Sequence, residues 1–405
     1  MYDIIIIGGG ISGLYCALKL SKKYKLLLLD ERNYLGGRIH THKHSQYEIG
    51  AARYHNKHKH LSNLINKYKL SKYPISKNID YLDTNYGYIP NAKTFFNNAI
   101  SDILQKSKKL NTLYLQSITF ETLCEKYYSK DDVKLLINIF GYKTEFINLN
   151  AYDACRTFLN DFGNNQYYVI GEGMQTLCDK MVDTIINNNG TILKNKIVTN
   201  VLLQDGDAYL VKTKFQTYLS KKIIFAIKPH QMKQFQILKP IFHNINSVGA
   251  AQLLRIYAKF PINTNGVWFK NMNRTTTNSF LRHIIPISAE TGLIMISYTD
   301  DVDVDKFLKK KFLLKSTNEI KKIILDECNK IFPDKIITKP TYFKCHYWSR
   351  GTHYWKIKYD SNKISNEMIN PIKNIYTCGE GFSKMQGWIE GALKSAQLVI
   401  NKLLI

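Results

Sequence analysis

The chain has 405 residues, 44% of them hydrophobic and 12% aromatic, which excludes a disordered polymer and leaves room for two cores rather than one. Its formal net charge of +25 invites a polyanion partner. The lysines, however, are scattered (Lys22, Lys23, Lys106, Lys108, Lys109, Lys309 to Lys311) without interleaved stacking aromatics. The whole chain is rich in Lys, Asn, Ile and Tyr, as AT-rich coding would produce, so nucleic acid is not expected as a partner. Seven cysteines at irregular spacing, with no C-x-x-C pair, read as reduced thiols in a cytoplasmic setting. No apolar run approaches a membrane span, and a strand that begins at Tyr2 leaves no room for a signal peptide, so no membrane is expected.

The first element is the strand Ile4 to Ile7, an unbroken β-branched run suited to a parallel strand buried on both faces. Gly8, Gly10 and Gly13 follow in a G-x-G-x-x-G pattern, and Leu14, Ala17 and Leu18 recur at helical spacing. A second apolar run, Leu26 to Leu29, ends on Asp30. Strand, glycine turn, helix, strand and terminal acid in that order predict a dinucleotide site. The glycines allow the turn, the approach of a pyrophosphate and close helix packing, the helix N-terminus binds the diphosphate, and Asp30 accepts from ribose hydroxyls.

Next come Leu35-Gly36-Gly37-Arg38 and Tyr47-Glu48-Ile49-Gly50-Ala51-Ala52-Arg53. This opening resembles the flavin-containing amine oxidoreductases, such as monoamine, polyamine and L-amino-acid oxidases. The resemblance implies that Arg38 holds the FAD pyrophosphate, a role for which a planar guanidinium fork is suited. It implies two alternatives for Arg53: pairing a substrate carboxylate, or touching FAD or a surface acid. His40, His42, His44, His55, His58 and His60 crowd this region with lysines between them, which reads as a solvated basic loop and no metal site. Leu61, Leu64, Ile65 and Leu70 then mark an amphipathic helix.

From Lys72 to about Gln166 the pattern predicts mostly helix: Phe95 to Leu110, Ser117 to Tyr128 with Ser117 as a candidate cap, and Asp131 to Phe140. Tyr167 to Met174 resembles the family's turn before a helix, here Gln175 to Asn187. Strands follow at Ile197 to Val201, Ala208 to Lys214 and Ile223 to Ala226, and the resemblance implies that Val198 presents its backbone to the adenine. The strand Gly249 to Phe260 is similar to the one on which amine oxidases carry a lysine that holds a water against the flavin. Aligned through its flanking glycine and aromatic, that position is Arg255; a slip would give Gln252 or Lys259 instead, and Arg255 and Lys259 as merely solvated residues is a competing reading. Arginine does not deprotonate in proteins, so a proton relay is excluded there.

A basic amphipathic helix is predicted from Val304 to Phe332. In Tyr347 to Trp355 the resemblance places His353 in one half of an aromatic cage, with a hydrogen-bonded structural histidine as the alternative. Thr352 stands where some members attach FAD through cysteine, which implies non-covalent FAD. Finally, Ile375-Tyr376-Thr377-Cys378-Gly379-Glu380-Gly381 and Gln386-Gly387-Trp388-Ile389-Glu390-Gly391-Ala392 closely resemble the family's C-terminal FAD signature. There Gly379 and Glu380 meet the ribityl chain, Gly387 opens the last helix toward the flavin, and Trp388 is the second cage aromatic.

The fold class so implied is α/β, with a Rossmann-type FAD-binding domain like that of amine oxidases and glutathione reductases, formed by 1–75, 165–245 and 340–405. It is interleaved with a substrate domain of mixed sheet and helices, 76–164 and 246–339. The implied activity is oxidation of a C–N bond in an amine or amino acid by hydride transfer to flavin, with molecular oxygen as acceptor. The catalytic candidates are Arg53, Arg255, His353 and Trp388. The alternatives are a desaturase or isomerase on the same fold, or a flavin-binding protein with degenerate catalysis.

Overall fold

In the first of two compact units, Tyr2–Ile7 lies between Leu26–Leu29 and Thr217–Phe225, parallel to both. Every side chain from Ile4 to Ile7 and from Leu26 to Leu29 is buried, as expected of strands covered on two faces. Thr191–Leu193 extends the sheet outside Leu26–Leu29, and Ile375–Thr377 adds to Thr217–Phe225, again in parallel. The N-terminal half of Thr217–Phe225 runs antiparallel to Tyr209–Thr213, which pairs with Val198–Leu203. Helices Ile11–Leu20, Met174–Asn187 and Ile389–Leu404 share one core with the isoleucine strand, through Leu14, Leu18, Leu177, Met181, Leu393 and Val399. The computed structural model describes residues 1–162 and 165–404, and this unit comprises Met1–Ile75, Asn164–Gly249 and Tyr359–Ile405.

A small antiparallel sheet in the same unit joins Tyr54–His55, Tyr167–Ile170 and Lys72–Pro74. Helix Lys59–Lys67 buries Leu61, Leu64 and Ile65, the stripe that the sequence predicts. Pro229 opens a short helix as its first residue, after the strand has ended at Phe225. All seven cysteines are free thiols. Among the described residues no helix is long and apolar enough to cross a membrane.

The second unit, Ser76–Gly163 and Ala250–Lys358, is built on a seven-stranded mixed sheet. Its order is Tyr342–Trp355, Val248–Lys259, Leu293–Asp300, His283–Ser288, Arg274–Thr277, Ile79–Asp83 and Gly87–Tyr88. Strand Tyr342–Trp355, expected with the first domain, therefore belongs here, because its hydrogen-bonding neighbour is Val248–Lys259.

Two predicted helices are redrawn. Ser117 does not cap a helix; its Oγ donates to the Tyr114 carbonyl, ending Thr112–Ser117, and Thr119 caps Phe120–Glu125. The long basic helix starts only at Thr317, where Ser316 and Glu319 form a capping box. Upstream, Asp303 is held by Arg282 at 2.5 Å and Lys143 at 2.8 Å, which favours a tight turn, and Leu308–Lys310 pairs with Leu313–Leu314 as a hairpin.

The helices of this unit pack through Phe120, Phe140, Phe146 and Phe158, with ring centroids 4.8 to 5.8 Å apart. Phe120 is fully buried, so Phe120→Ala should lower stability by about 3–5 kcal/mol. Chemical denaturation followed by circular dichroism measures this. Phe215→Ala, at a side chain 81% exposed, should leave the midpoint in place.

Candidate active site

The glycine turn forms an anion seat. Gly8 has φ +107°, and a Cβ at Gly13 would lie 2.0 Å from the Gly8 carbonyl oxygen, so the helix packs against the turn only with glycine there. The first turn of Ile11–Leu20 has no side-chain cap and no acidic residue, leaving its N–H groups and positive dipole end for an anion. A Cβ at Gly10 would meet no atom within 4 Å, and one at Gly379 only Ser12 Oγ at 4.0 Å, so backbone on both sides is open to a ligand.

Charged groups surround this cradle. Asp30 accepts from the Gly9 N–H through Oδ2 at 2.6 Å and from the Arg32 N–H through Oδ1 at 2.8 Å. Burial raises its carboxyl above the ordinary value, against the lowering effect of those two donors. Its carbonyl accepts from Lys196 at 2.8 Å, which sets Val198 at the start of the next strand and buried. Arg38 Nη2 pairs with Glu380 Oε2 at 2.8 Å, and Gly387 donates to Glu380 Oε1 at 2.7 Å. An anion seat, a guanidinium and two carboxylates suited to hydroxyl donors fit a flavin dinucleotide. Gly8, Gly10, Gly13, Asp30, Arg38, Val198, Gly379, Glu380 and Gly387 are the residues that could hold one.

Trp388 follows directly and is half-buried. The Tyr167 ring stands 6.1 Å from it at an interplanar angle of 20°. Arg53 Cζ is 5.3 Å from the Tyr167 centroid and 6.0 Å from that of Trp388, a cation over both rings. The His55 and His58 rings lie 3.7 Å apart and meet Trp388 edge-on at 5.7 and 4.9 Å.

The reading of this histidine-rich stretch as a solvated loop is corrected: His55 and His58 are fully buried. Tyr54–His55 is a strand paired with Tyr167 and Tyr168, and His58 precedes helix Lys59–Lys67, whose entry is clamped. The clamp is Glu390, fully buried, which accepts from the backbone N–H of His60 at 3.1 Å and of Leu61 at 3.0 Å, with His60 Nδ1 at 3.0 Å. Tyr167, His55, His58 and Glu390 were not anticipated as site residues. The signal was present for the histidines, three apart beside a short β-prone dipeptide, but interspersed lysines masked it.

In the second unit, Arg255 faces Tyr298 across paired strands, with Cζ 4.4 Å from the ring centroid. It is buried, which corrects the solvated reading for this residue. Burial alone would lower its guanidinium, but the neighbouring Tyr298 and Tyr257 outweigh that and hold it above its ordinary value. Gln252 instead binds Asp305 Oδ1 at 2.7 Å and the Tyr347 hydroxyl at 2.8 Å, and Lys259 is half-buried near Tyr342. His353 is buried within Tyr342–Trp355, and Thr352 beside it is half-buried.

Comparison with known proteins gives the family and the fold. The profile of the flavin containing amine oxidoreductases matches residues 11–399. An uncharacterized protein of Acanthamoeba polyphaga mimivirus is 23% identical, covering 99% of this chain and 93% of its own. Two solved structures of putrescine oxidase, redesigned at cofactor binding by a double and a single substitution, superpose over 100% of this chain and 99% and 98% of theirs. Their TM-scores are 0.79 and 0.81, both at 14% identity. They share the α/β fold.

Burial, with His55 and Lys394 adding to it, pushes His58 down from 6.5 to about 2. The unfolded chain gains a proton below pH 6.5 that native His58 does not accept until about 2, so this histidine costs stability as pH falls through that window. The slope is up to about 1.4 kcal/mol per pH unit. His58→Gln should flatten the loss of melting temperature on acidification below pH 6.5, measured by thermal denaturation of both proteins across that range.

Proposed function

The chain belongs to the flavin-containing amine oxidoreductase family and is an FAD-dependent oxidoreductase, and from that premise we propose that it oxidises the C–N bond of an amine that also carries a carboxylate. The observation that carries this reading is the guanidinium of Arg53 over the near-parallel Tyr167 and Trp388 rings, next to the Gly387 turn. When bound, the flavin supplies the two-electron acceptor for that bond. Gly8, Gly10, Gly13 and Arg38 hold its diphosphate, Asp30 and Val198 its adenosine end, and Gly379, Glu380 and Gly387 its ribityl side. FAD is held non-covalently, with Thr352 offering no thiol for attachment.

The protein's own residues do the rest. Arg53 pairs the substrate carboxylate bidentately, which a fork of N–H donors favours. Trp388 and Tyr167 flank the reacting amine and exclude water, so that the neutral amine is favoured over the ammonium. His58, neutral at any physiological pH, offers one donor and one acceptor there without adding charge. Arg255, in the second unit, is a fixed cation and no proton relay, and His353 is buried on its own strand of that unit. Molecular oxygen is the acceptor we infer, giving imine, then carbonyl and ammonia, and peroxide. Seven free thiols support a reducing, cytoplasm-like setting.

A diamine such as the substrate named for the putrescine oxidases has no carboxylate to pair. Arg53 at the ring pair would repel its ammonium, and this favours the amino acid. Retention of flavin with degenerate catalysis is the remaining alternative.

Anaerobic bleaching of the bound flavin across amino acids and their decarboxylated amines tests the proposal; flavin that stays oxidised against all of them overturns it. Arg53→Ala leaves a buried carboxylate unpaired, a cost of about 3–5 kcal/mol, so amino-acid reduction should slow roughly 10²–10³-fold or more at unchanged flavin content. The rate with the decarboxylated amine should hold or rise. Loss of flavin with both rates would make Arg53 a cofactor residue instead.

A further inference from the structure

Residues 306–315 of the second unit read Lys-Phe-Leu-Lys-Lys-Lys-Phe-Leu-Leu-Lys, five lysines and no acid in ten positions. Among the described residues, Leu308–Lys310 and Leu313–Leu314 pair only with each other, as a two-stranded ribbon. Phe307 is fully buried, and Leu308 and Leu314 pack on the same core, so the base of the ribbon is anchored. Its tip is not. Phe312 and Leu313 are 48% and 46% exposed, and Lys309, Lys310 and Lys311 are exposed beside them.

Phe312 also has φ +63°, a left-handed conformation that costs a bulky residue strain which glycine or asparagine would avoid. The strained turn holds an aromatic half in solvent, and such strain concentrates at functional positions. The Phe312 ring is faced by Lys311 Nζ at 5.3 Å and Arg350 Cζ at 5.9 Å, so cations crowd the apolar tip.

We propose that this hairpin docks the protein on an anionic lipid bilayer, with Phe312 and Leu313 entering the boundary between headgroups and acyl chains and Lys309, Lys310 and Lys311 pairing with lipid phosphates and carboxylates. Apolar tip and polybasic flank together make up the two-signal pattern of interfacial attachment. A nucleic-acid strand would use the lysines but leave the apolar pair wet, and the face of Phe312 that a base would stack on is already met by cations. Attachment of this kind needs no spanning helix.

The test is flotation of the flavin-loaded protein with vesicles of phosphatidylcholine alone and of phosphatidylcholine with phosphatidylserine at about 30 mol %. Binding should require the anionic lipid and weaken with salt. Replacing Lys309, Lys310 and Lys311 by Gln should lower affinity about fivefold per lysine, roughly 10²-fold together. Phe312→Asn should raise the melting temperature, because Asn accepts the left-handed turn, and yet weaken vesicle binding about tenfold or more. Flavin content and amine turnover in solution should be unchanged in both variants. Equal binding of wild type and Phe312→Asn, indifference to phosphatidylserine, or displacement by a single-stranded oligonucleotide with Phe312 dispensable would each overturn the proposal; the last would mark a polyanion surface instead.

Discussion

Everything in the first unit depends on how closely helix Ile11–Leu20 can approach the strand that feeds it. The Gly13 Cα sits where any side chain would strike the Gly8 carbonyl, and Asp30 ties the turn back to the neighbouring strand through the Gly9 N–H. These two constraints point the helix's unsatisfied N–H groups at open space rather than at protein. Arg38 and Glu380, from residues far apart in the chain, are then brought together beside that space. The anion seat is thus a consequence of packing, with the specific charges added around it.

The aromatic wall rests on a different kind of support. Trp388 lies at the start of the last helix, whereas Arg53, His55 and Tyr167 lie in and beside a small sheet. Glu390 joins the two by satisfying N–H groups of helix Lys59–Lys67, whose entry lacks a side-chain cap of its own. A buried carboxylate is tolerable here because hydrogen-bond donors surround it. The same residue that belongs to the C-terminal motif therefore fixes the start of the helix that follows the buried His58.

Much of this was legible in the chain itself. The glycine turn, the two apolar strands and the C-terminal Gly-Glu motif are local patterns whose physics is carried by neighbouring residues, and the family match bears out the flavoenzyme family they point to. The strand Val248–Lys259 was also readable, from its aromatic and β-branched content, and Leu254 to Ala258 are all buried on it. What was hidden depends on contacts between distant segments. His55 and His58 look solvated when only their lysine neighbours are counted, and become buried only once Tyr167 and Trp388 arrive from later in the chain. Likewise Tyr342–Trp355 joins its sheet by pairing with Val248–Lys259, a partnership that periodicity cannot reveal. The helix expected from Val304 failed because Asp303 has two cationic partners that hold a turn.

The large sheet of the first unit takes strands from residues 2–29, 191–225 and 375–377, and the Glu390 clamp reaches back to residues 60 and 61. During synthesis the opening strand and helix leave the ribosome long before the segments that cover them. At about 5–20 residues per second, the apolar Ile and Leu runs wait roughly 20–80 seconds for their last partners. Such non-local pairing folds slowly and leaves strand edges exposed meanwhile. The nascent chain consequently exposes apolar strands of the kind that aggregate, and a truncation before Ile375 should yield insoluble protein rather than an isolated nucleotide-binding module.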